Sequence, residues 1–421
     1  MAINPVIETV IIIGAGQAGG WAAKTLRAEG FSGKLILIGA EPHSPYERPP
    51  LSKAVLAGLA DFSSVQLFSS DIWQALNITE HYNLSVINID ASLQSVLLSD
   101  QTSLNYDRLI IATGGHVRRL PPHLDHKDIF YLRTLDDAHA LKNAFQTHQA
   151  DSSKTLLVIG GGWIGLEIAA TARKIGLEVI LLEAAAGLCT RTLPPVISEF
   201  LLNLHEQNGV DVRLGSSLAT LDKNTNTQQD KSWQARLEDG SIIHADIVVA
   251  GIGLIPNTQL ADKACLEIDN GIVVDTQGRS SNPNIFACGD VARVINKPRL
   301  ESWANAQNQA IIVGKAIMGS PEQYAEIPWF WSDQYEVNLQ ILGLEYQDCA
   351  TLIRGDLTTN QAALFFVATK KDAESQIKSE IKSVIALNCA RDLKQTRSWM
   401  RKGYCPDLAA LVDVKQPLNK L

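Results

Sequence analysis

Two stretches of the chain carry the same succession of apolar runs and glycines. From Lys154 to Glu183, the apolar run Leu156 to Ile159 gives way to glycines at 160, 162 and 165. A helical stretch follows, then a second apolar run, Val179 to Leu182, which ends at Glu183. From Thr9 to Glu41 the order is the same: Val10 to Ile13, glycines at 14, 16 and 19, a helix to about Glu29, Leu35 to Ile38, then Glu41. Short unbroken apolar runs suit strands buried on both faces of a parallel sheet. Each copy leads into a stretch rich in short strands and then a closing strand with glycine. The first closes with Leu109-Ile-Ile-Ala112-Thr113-Gly114, the second with Ile247 to Gly253, which includes Gly251. An internal repeat of this length predicts an α/β chain built from two similar domains.

The glycine spacing is G-x-G-x-x-G in both copies. In such a turn Gly14 or Gly160 permits the tight bend, Gly16 or Gly162 lets backbone approach a pyrophosphate, and Gly19 or Gly165 lets the helix pack close to the strand. The helix N-terminus offers free N–H groups to phosphate. Glu41 and Glu183, each following the second strand of its copy, are placed to accept hydrogen bonds from an adenosine ribose. These are two Rossmann-like units. Two dinucleotides in one chain point to hydride transfer between them; the alternative is that one unit is scaffold only. Glu183 repels a 2′-phosphate, and no basic side chain follows it until Arg191, so the nicotinamide is expected to be NADH, not NADPH.

Composition narrows the class. The chain has 421 residues, enough for two or three domains, with 46% hydrophobic and 19% charged residues. A net charge of −8 argues against nucleic acid as a partner. No apolar run reaches membrane length, and the chain runs into its first strand with Glu8 before it, without the pattern of a cleavable signal. Six scattered cysteines without C-x-x-C spacing fit a reducing, cytoplasmic setting and remove a redox disulfide built from neighbouring cysteines. Nine histidines show no metal-ligand spacing, so no metal is expected.

Between Pro42 and Lys53 four prolines predict a stiff loop, not a helix, holding Arg48 and Lys53. It is either a proline turn with solvated charges or a clamp on a cofactor. The segments PYERPPLSK (45–53), GAGQAGG (14–20) and IIATGG (110–115) resemble the FAD-dependent NADH:ferredoxin reductase components of bacterial Rieske-type aromatic-ring dioxygenase systems. These are putidaredoxin-reductase-like members of the pyridine nucleotide-disulfide oxidoreductase superfamily, and the resemblance runs over essentially the whole chain. It implies a glutathione-reductase-like pair of Rossmann-like domains without a redox disulfide, followed by a small α+β domain. It implies that FAD is held by the first glycine turn and Glu41, by Arg48 and Lys53, and by Ala112, Thr113 and Gly114. Arg133 within Leu132-Arg-Thr134, and Asp290 at the end of Ile285-Phe-Ala-Cys-Gly-Asp290, join that set; the plainer reading of Asp290 is a helix cap. NADH falls to the second glycine turn, Glu183, Gly251 and Gly253. Glu167 then pairs with Lys53 near the flavin N5, where a cation stabilises negative charge on the ring. The tryptophans Trp303 and Trp331 match segments close to the flavin, against the ordinary reading of core aromatics.

From about residue 326 the pattern changes. Val337–Leu342, 350–354, 362–368 and 383–387 read as strands and 392–402 as a helix. Arg391, Lys394, Arg397, Arg401 and Lys402 make this segment basic, either as a solvated helix face or as a surface that steers an acidic ferredoxin. The expected domains are FAD-binding (1–120 and 248–325), NADH-binding (121–247) and C-terminal (326–421). The expected activity passes hydride from NADH to FAD and single electrons to a Rieske-type [2Fe-2S] ferredoxin. Alternatives are another acceptor (rubredoxin, a cytochrome or a quinone), a disulfide reductase, or an NADH-sensing flavoprotein of the apoptosis-inducing type. Monomer and homodimer are both open.

Overall fold

The computed structural model describes residues 7–148, 154–223, 232–371 and 377–421. The reading of residues 1–6 as a direct lead into the first strand lies outside the described residues. The chain divides into two compact units, one made of Met1–Pro49, Asp61–His116 and Leu254–Glu326, the other of Pro50–Ala60, Val117–Gly253 and Ile327–Leu421.

In the first unit the strand Thr9–Ile13 lies at the centre of a five-stranded parallel sheet. The order is Ile285–Ala287, Arg108–Ile111, Thr9–Ile13, Lys34–Ile38 and Thr79–His81. Strand alternation sorts its apolar residues to opposite faces. Val10 and Ile12 pack among Ala22, Ala23 and Leu26 of the helix Gln17–Ala28, and Ala310 and Val313 of the helix Trp303–Ile317. Ile11 and Ile13 pack instead with Val96, Leu98 and Tyr106. Because both faces are covered, the strand after Thr9 has no polar positions to alternate with. The two helices touch closely: a Cβ on Gly314 would lie 2.8 Å from Thr25 Cγ2. The strand expected from 109 to 114 ends at Ile111; Ala112 N–H still donates to Ile13 O at 2.8 Å, and Gly114, at φ +60°, turns the chain.

The second unit repeats the parallel sheet with four strands, in the order Val210–Leu214, Glu178–Glu183, Thr155–Ile159 and Ile247–Ala250. A three-stranded antiparallel sheet follows (Leu218–Lys223, Trp233–Leu237, Ile242–Ala245), with Gly240 at φ +87° in the Asp239-Gly240 turn. The unit also holds a five-stranded antiparallel sheet, in the order Trp329–Gln334, Val337–Leu342, Ile377–Leu387, Gln361–Lys371 and Ala350–Asp356. The helix Ala390–Lys402 lays Leu393 and Trp399 into the same core as Phe365 and Val384.

Four local details depart from the pattern reading. The proline stretch contains a 3-10 turn at Pro49–Ser52, because consecutive prolines fix φ near the value such a turn needs. Asp290 lies in a single 3-10 turn, Gly289–Val291, and not at the start of an α-helix. The helix Leu135–His148 and the strand Trp329–Gln334 were not expected.

Candidate functional site

The first glycine turn is built so that each glycine meets a different constraint. Gly14 has φ +112°, and a Cβ there would lie 2.3 Å from the carbonyl oxygen of Ala112. A Cβ on Gly19 would lie 1.9 Å from the Gly14 oxygen, so helix and strand are in backbone contact. At Gly16 the same Cβ would meet nothing within 4 Å. That space lies at the N-terminus of the helix Gln17–Ala28, which has no side-chain cap. Both side-chain polar atoms of Gln17 are buried there without a protein partner, as are Arg299 Nε and Gln307 Oε1 of the same unit. Leaving such atoms unmet costs about 1–3 kcal/mol each. An open cradle, free helix N–H groups and orphaned donors fit a dinucleotide's pyrophosphate, and the orphaned acceptors fit its hydroxyls.

Three of the residues expected at the flavin come together in this unit. The Glu41 carboxylate accepts from Tyr46 Oη at 2.5 Å and from Arg48 Nη2 at 2.8 Å. Burial opposes the Arg48 charge, but Tyr46, Glu41 and the field of Asp290 outweigh it and hold the guanidinium above the ordinary arginine value. Arg299 Nη1 donates to the Asp290 carbonyl at 2.8 Å. Thr113 Oγ1 donates to Asn257 O, while Asn257 returns donors to Thr113 O and Gly114 O, which fixes the turn Ala112–Gly114. Trp303 is the first residue of its helix, after the cap Ser302, which accepts from Asn305 N.

The second glycine turn has the same construction. A Cβ on Gly165 would lie 2.0 Å from Gly160 O, and one on Gly160 (φ +108°) 2.6 Å from Gly251 O. At Gly162 the nearest atom would be Gly251 O at 3.9 Å, so the cradle is again open. Glu183 is tied down by two backbone donors, Gly161 N–H at 2.7 Å and Ala185 N–H at 2.8 Å. Its remaining lone pairs are therefore held at a fixed place beside the turn, as ribose recognition requires. Gly253, at φ +115°, has Arg191 Nη2 3.6 Å from where its Cβ would be.

Lys53 and Glu167 also belong to the second unit, and the structure brings them together. Lys53 Nζ lies 2.8 Å from Glu167 Oε2, with Glu167 only 4% exposed. Ser52 donates to the same oxygen at 2.5 Å, and Ser332 donates to Oε1 at 2.6 Å. Thr171, one turn further along the helix Trp163–Lys174, donates to Ser52 O and fixes the loop. Trp331 stacks on Trp329, ring centroids 5.1 Å apart, and the Arg397 guanidinium lies over Trp329 at 5.3 Å. Arg133 belongs to this unit as well, and its backbone N–H donates to Asp137 at the start of the helix Leu135–His148. All six cysteines are free. The sequence assigned no role to Gln17, Tyr46, Arg299, Ser332 or Gln334. Gln17, inside the glycine motif, and Tyr46, inside PYERPPLSK, had a local signal; the other three had none.

The model of the family described as pyridine nucleotide-disulphide oxidoreductase matches residues 8–310, and that described as reductase C-terminal matches 329–421. The chain belongs to the pyridine nucleotide-disulphide oxidoreductase family. It is an oxidoreductase, and its cofactors are FAD and NADH. Putidaredoxin reductase CamA of Pseudomonas putida is 40% identical over 369 residues, 86% of each chain. The anthranilate 1,2-dioxygenase system ferredoxin–NAD(+) reductase component of Burkholderia cepacia is 36% identical over 96% of this chain and 97% of its own. Among solved structures, the reductase in the covalent putidaredoxin reductase–putidaredoxin complex superposes with a TM-score of 0.89 at 36% identity, covering 98% of this chain and 97% of that one. The family name refers to a disulphide, yet the described residues hold none.

Proposed function

We propose that this chain is the NADH-oxidising reductase of a ferredoxin-fed aromatic-ring dioxygenase system, working in the cytoplasm. The observation that carries this is end-to-end similarity to reductase components of such systems, together with two open glycine cradles in one chain. FAD, when bound, accepts two electrons as hydride from NADH and returns them one at a time to a Rieske-type [2Fe-2S] ferredoxin. The chain's own residues bind and orient. In this reading residues 1–120 and 248–325 bind FAD, 121–247 bind NADH, and 326–421 form the C-terminal domain, whose start agrees with the second family match at 329.

The first cradle, with Gly14, Gly16 and Gly19, takes the FAD pyrophosphate on the N–H groups of its helix. Glu41 and Arg48, already locked to each other, hold the adenosine end and a phosphate. Ala112, Thr113 and Gly114 line the approach, Asp290 holds the ribityl chain, and Arg133, Trp303 and Trp331 complete the flavin surroundings. In the second cradle Gly160, Gly162, Gly165, Gly251 and Gly253 take NADH, and Glu183 accepts from the ribose hydroxyls while repelling a 2′-phosphate. Lys53, charge-paired to Glu167, presents its ammonium to the flavin N5 edge. The exposed Arg391, Lys394, Arg401 and Lys402 steer an acidic ferredoxin toward the C-terminal domain. Free cysteines and the use of NADH favour the cytoplasm. No helix among the described residues is long and apolar enough to cross a membrane.

Electron transfer to the partner is the step to test. Reduced holoprotein mixed with a Rieske-type ferredoxin should reoxidise in rapid, ferredoxin-dependent phases. Reoxidation no faster than with buffer alone would remove the ferredoxin from the reading.

A further inference from the structure

Behind the Lys53–Glu167 pair a file of polar side chains runs through the interior of the second unit. Ser332 (0% exposed) donates to Glu167 Oε1, and Gln334 (2%) donates from Nε2 to Ser332 Oγ at 3.1 Å. His205 (0%) lies with Nε2 2.8 Å from Gln334 Oε1, and Tyr335 Oη lies 3.2 Å from His205 Nδ1. We propose that Ser332, Gln334 and His205 form a one-way chain of hydrogen bonds that fixes the Glu167–Lys53 pair, making His205 a positioning residue of the redox site. The inference rests on the reading that Lys53 lies beside the flavin.

The direction of the chain follows from the donors. An amide oxygen only accepts, so His205 carries its proton on Nε2 and its Nδ1 accepts from Tyr335. Gln334 then has one orientation, oxygen to the imidazole and nitrogen to Ser332. Ser332 receives that N–H, so its own proton goes to Glu167. Each donor points toward the carboxylate, and turning any member round would break the run. Burial keeps the imidazole neutral, its pKa pushed down to about 4, so the tautomer persists at working pH. The charged groups near the outer end are Arg173, Lys174 and Glu336.

Packing alone does not call for this arrangement. Apolar side chains of the same volume fill an interior at least as well as buried polar groups. The chain also ends on a strained residue. Tyr335 has φ +53° in the two-residue turn between Trp329–Gln334 and Val337–Leu342, a conformation unusual for an aromatic residue. It is held there by its hydroxyl on His205 and by Lys174 Nζ on its carbonyl at 2.7 Å. Strain of this kind gathers where the surroundings fix a functional geometry.

The test compares wild-type holoprotein with H205L, H205Q, Q334E and K53M by two readouts, the flavin midpoint potential and the ¹⁵N spectrum of the His205 ring. H205L frees Gln334 to rotate and should lower the potential by about 30 mV, a tenfold fall in the equilibrium constant for two-electron reduction. Q334E has no donor for Ser332 when ionised, and at a pH where it is ionised should shift the potential at least as far. H205Q keeps a donor at the Nε2 position and should stay within about 10 mV of wild type. The wild-type ring should show a single Nε2–H tautomer. An Nδ1–H tautomer, or folded H205L and Q334E proteins with wild-type potentials, would overturn the chain's role. A K53M protein with the wild-type potential would overturn the placement of Lys53 and the redox role with it. A shifted K53M beside unshifted H205L and Q334E overturns the chain alone.

Discussion

The glycines of each turn differ in what a methyl group would meet, and that difference separates folding from binding. In G19A the new Cβ runs into the Gly14 carbonyl oxygen, so helix and strand must part, at a cost of about 1–3 kcal/mol. In G16A it enters open space at ordinary backbone angles, so the apoprotein should keep its melting temperature. On the proposed placement of the pyrophosphate the methyl fills its cradle, so FAD affinity should fall at least about tenfold; melting curves and titration of the apoproteins with FAD check the two outcomes. If Glu183 sets nucleotide choice as proposed, E183A should weaken NADH by about 1–3 kcal/mol and narrow the NADH-to-NADPH ratio of kcat/KM. His205 gives a pH signature. Its native pKa, about 4, lies below the ordinary 6.5. Above pH 6.5 both states are neutral and His205 adds no dependence. Between 6.5 and 4 the unfolded chain binds a proton that the native state refuses, so stability falls as pH falls, by on the order of 3 kcal/mol in full. Denaturant titrations of wild type and H205Q should diverge over that window, with H205Q the flatter.

At the scale of elements, the twin strand–turn–helix–strand units were legible because their signals are local: an apolar run, three spaced glycines, a terminal acid. The helix Leu135–His148 had a signal too. Thr134 and Asp137 cap each other's backbone N–H groups, and Leu135, Ala138, Leu141 and Phe145 make its buried face. That signal overlaps Leu132-Arg-Thr134, which resembles a flavin motif. The strand Trp329–Gln334 was hidden because its three aromatic residues are all half-buried, so no alternation showed. The Lys53–Glu167 contact, 114 positions apart, has no local signal and entered through family resemblance; Ser332 and Gln334 needed the fold itself. The C-terminal segment offers a separate check. Arg354, 8% exposed, donates to the carbonyls of Leu411, Asp413 and Gln416 and pairs with Asp392. R354M removes the donor from three carbonyls and the partner from half-buried Asp392, and should cost about 1–3 kcal/mol, seen as early proteolysis beyond residue 402.

Taken whole, the chain is acidic, yet it presents four exposed basic side chains on one helix of its C-terminal segment. Opposite charge on a partner raises association rates, and salt screens the effect over about 10 Å at 0.1 M. Reversing charge in K394E/R401E should slow ferredoxin reduction about tenfold at low ionic strength and flatten its salt dependence. Flavin reduction by NADH, a step without the partner, reports whether the fold is intact. The most direct measurement is anaerobic stopped-flow of the holoprotein with NADH or NADPH, then with a Rieske-type ferredoxin, following flavin absorbance. The expected result is fast bleaching by NADH, slow bleaching by NADPH and fast reoxidation by the ferredoxin. Equal bleaching by both nucleotides would contradict the role of Glu183, and bleaching without ferredoxin-dependent reoxidation would contradict the electron-transfer function itself.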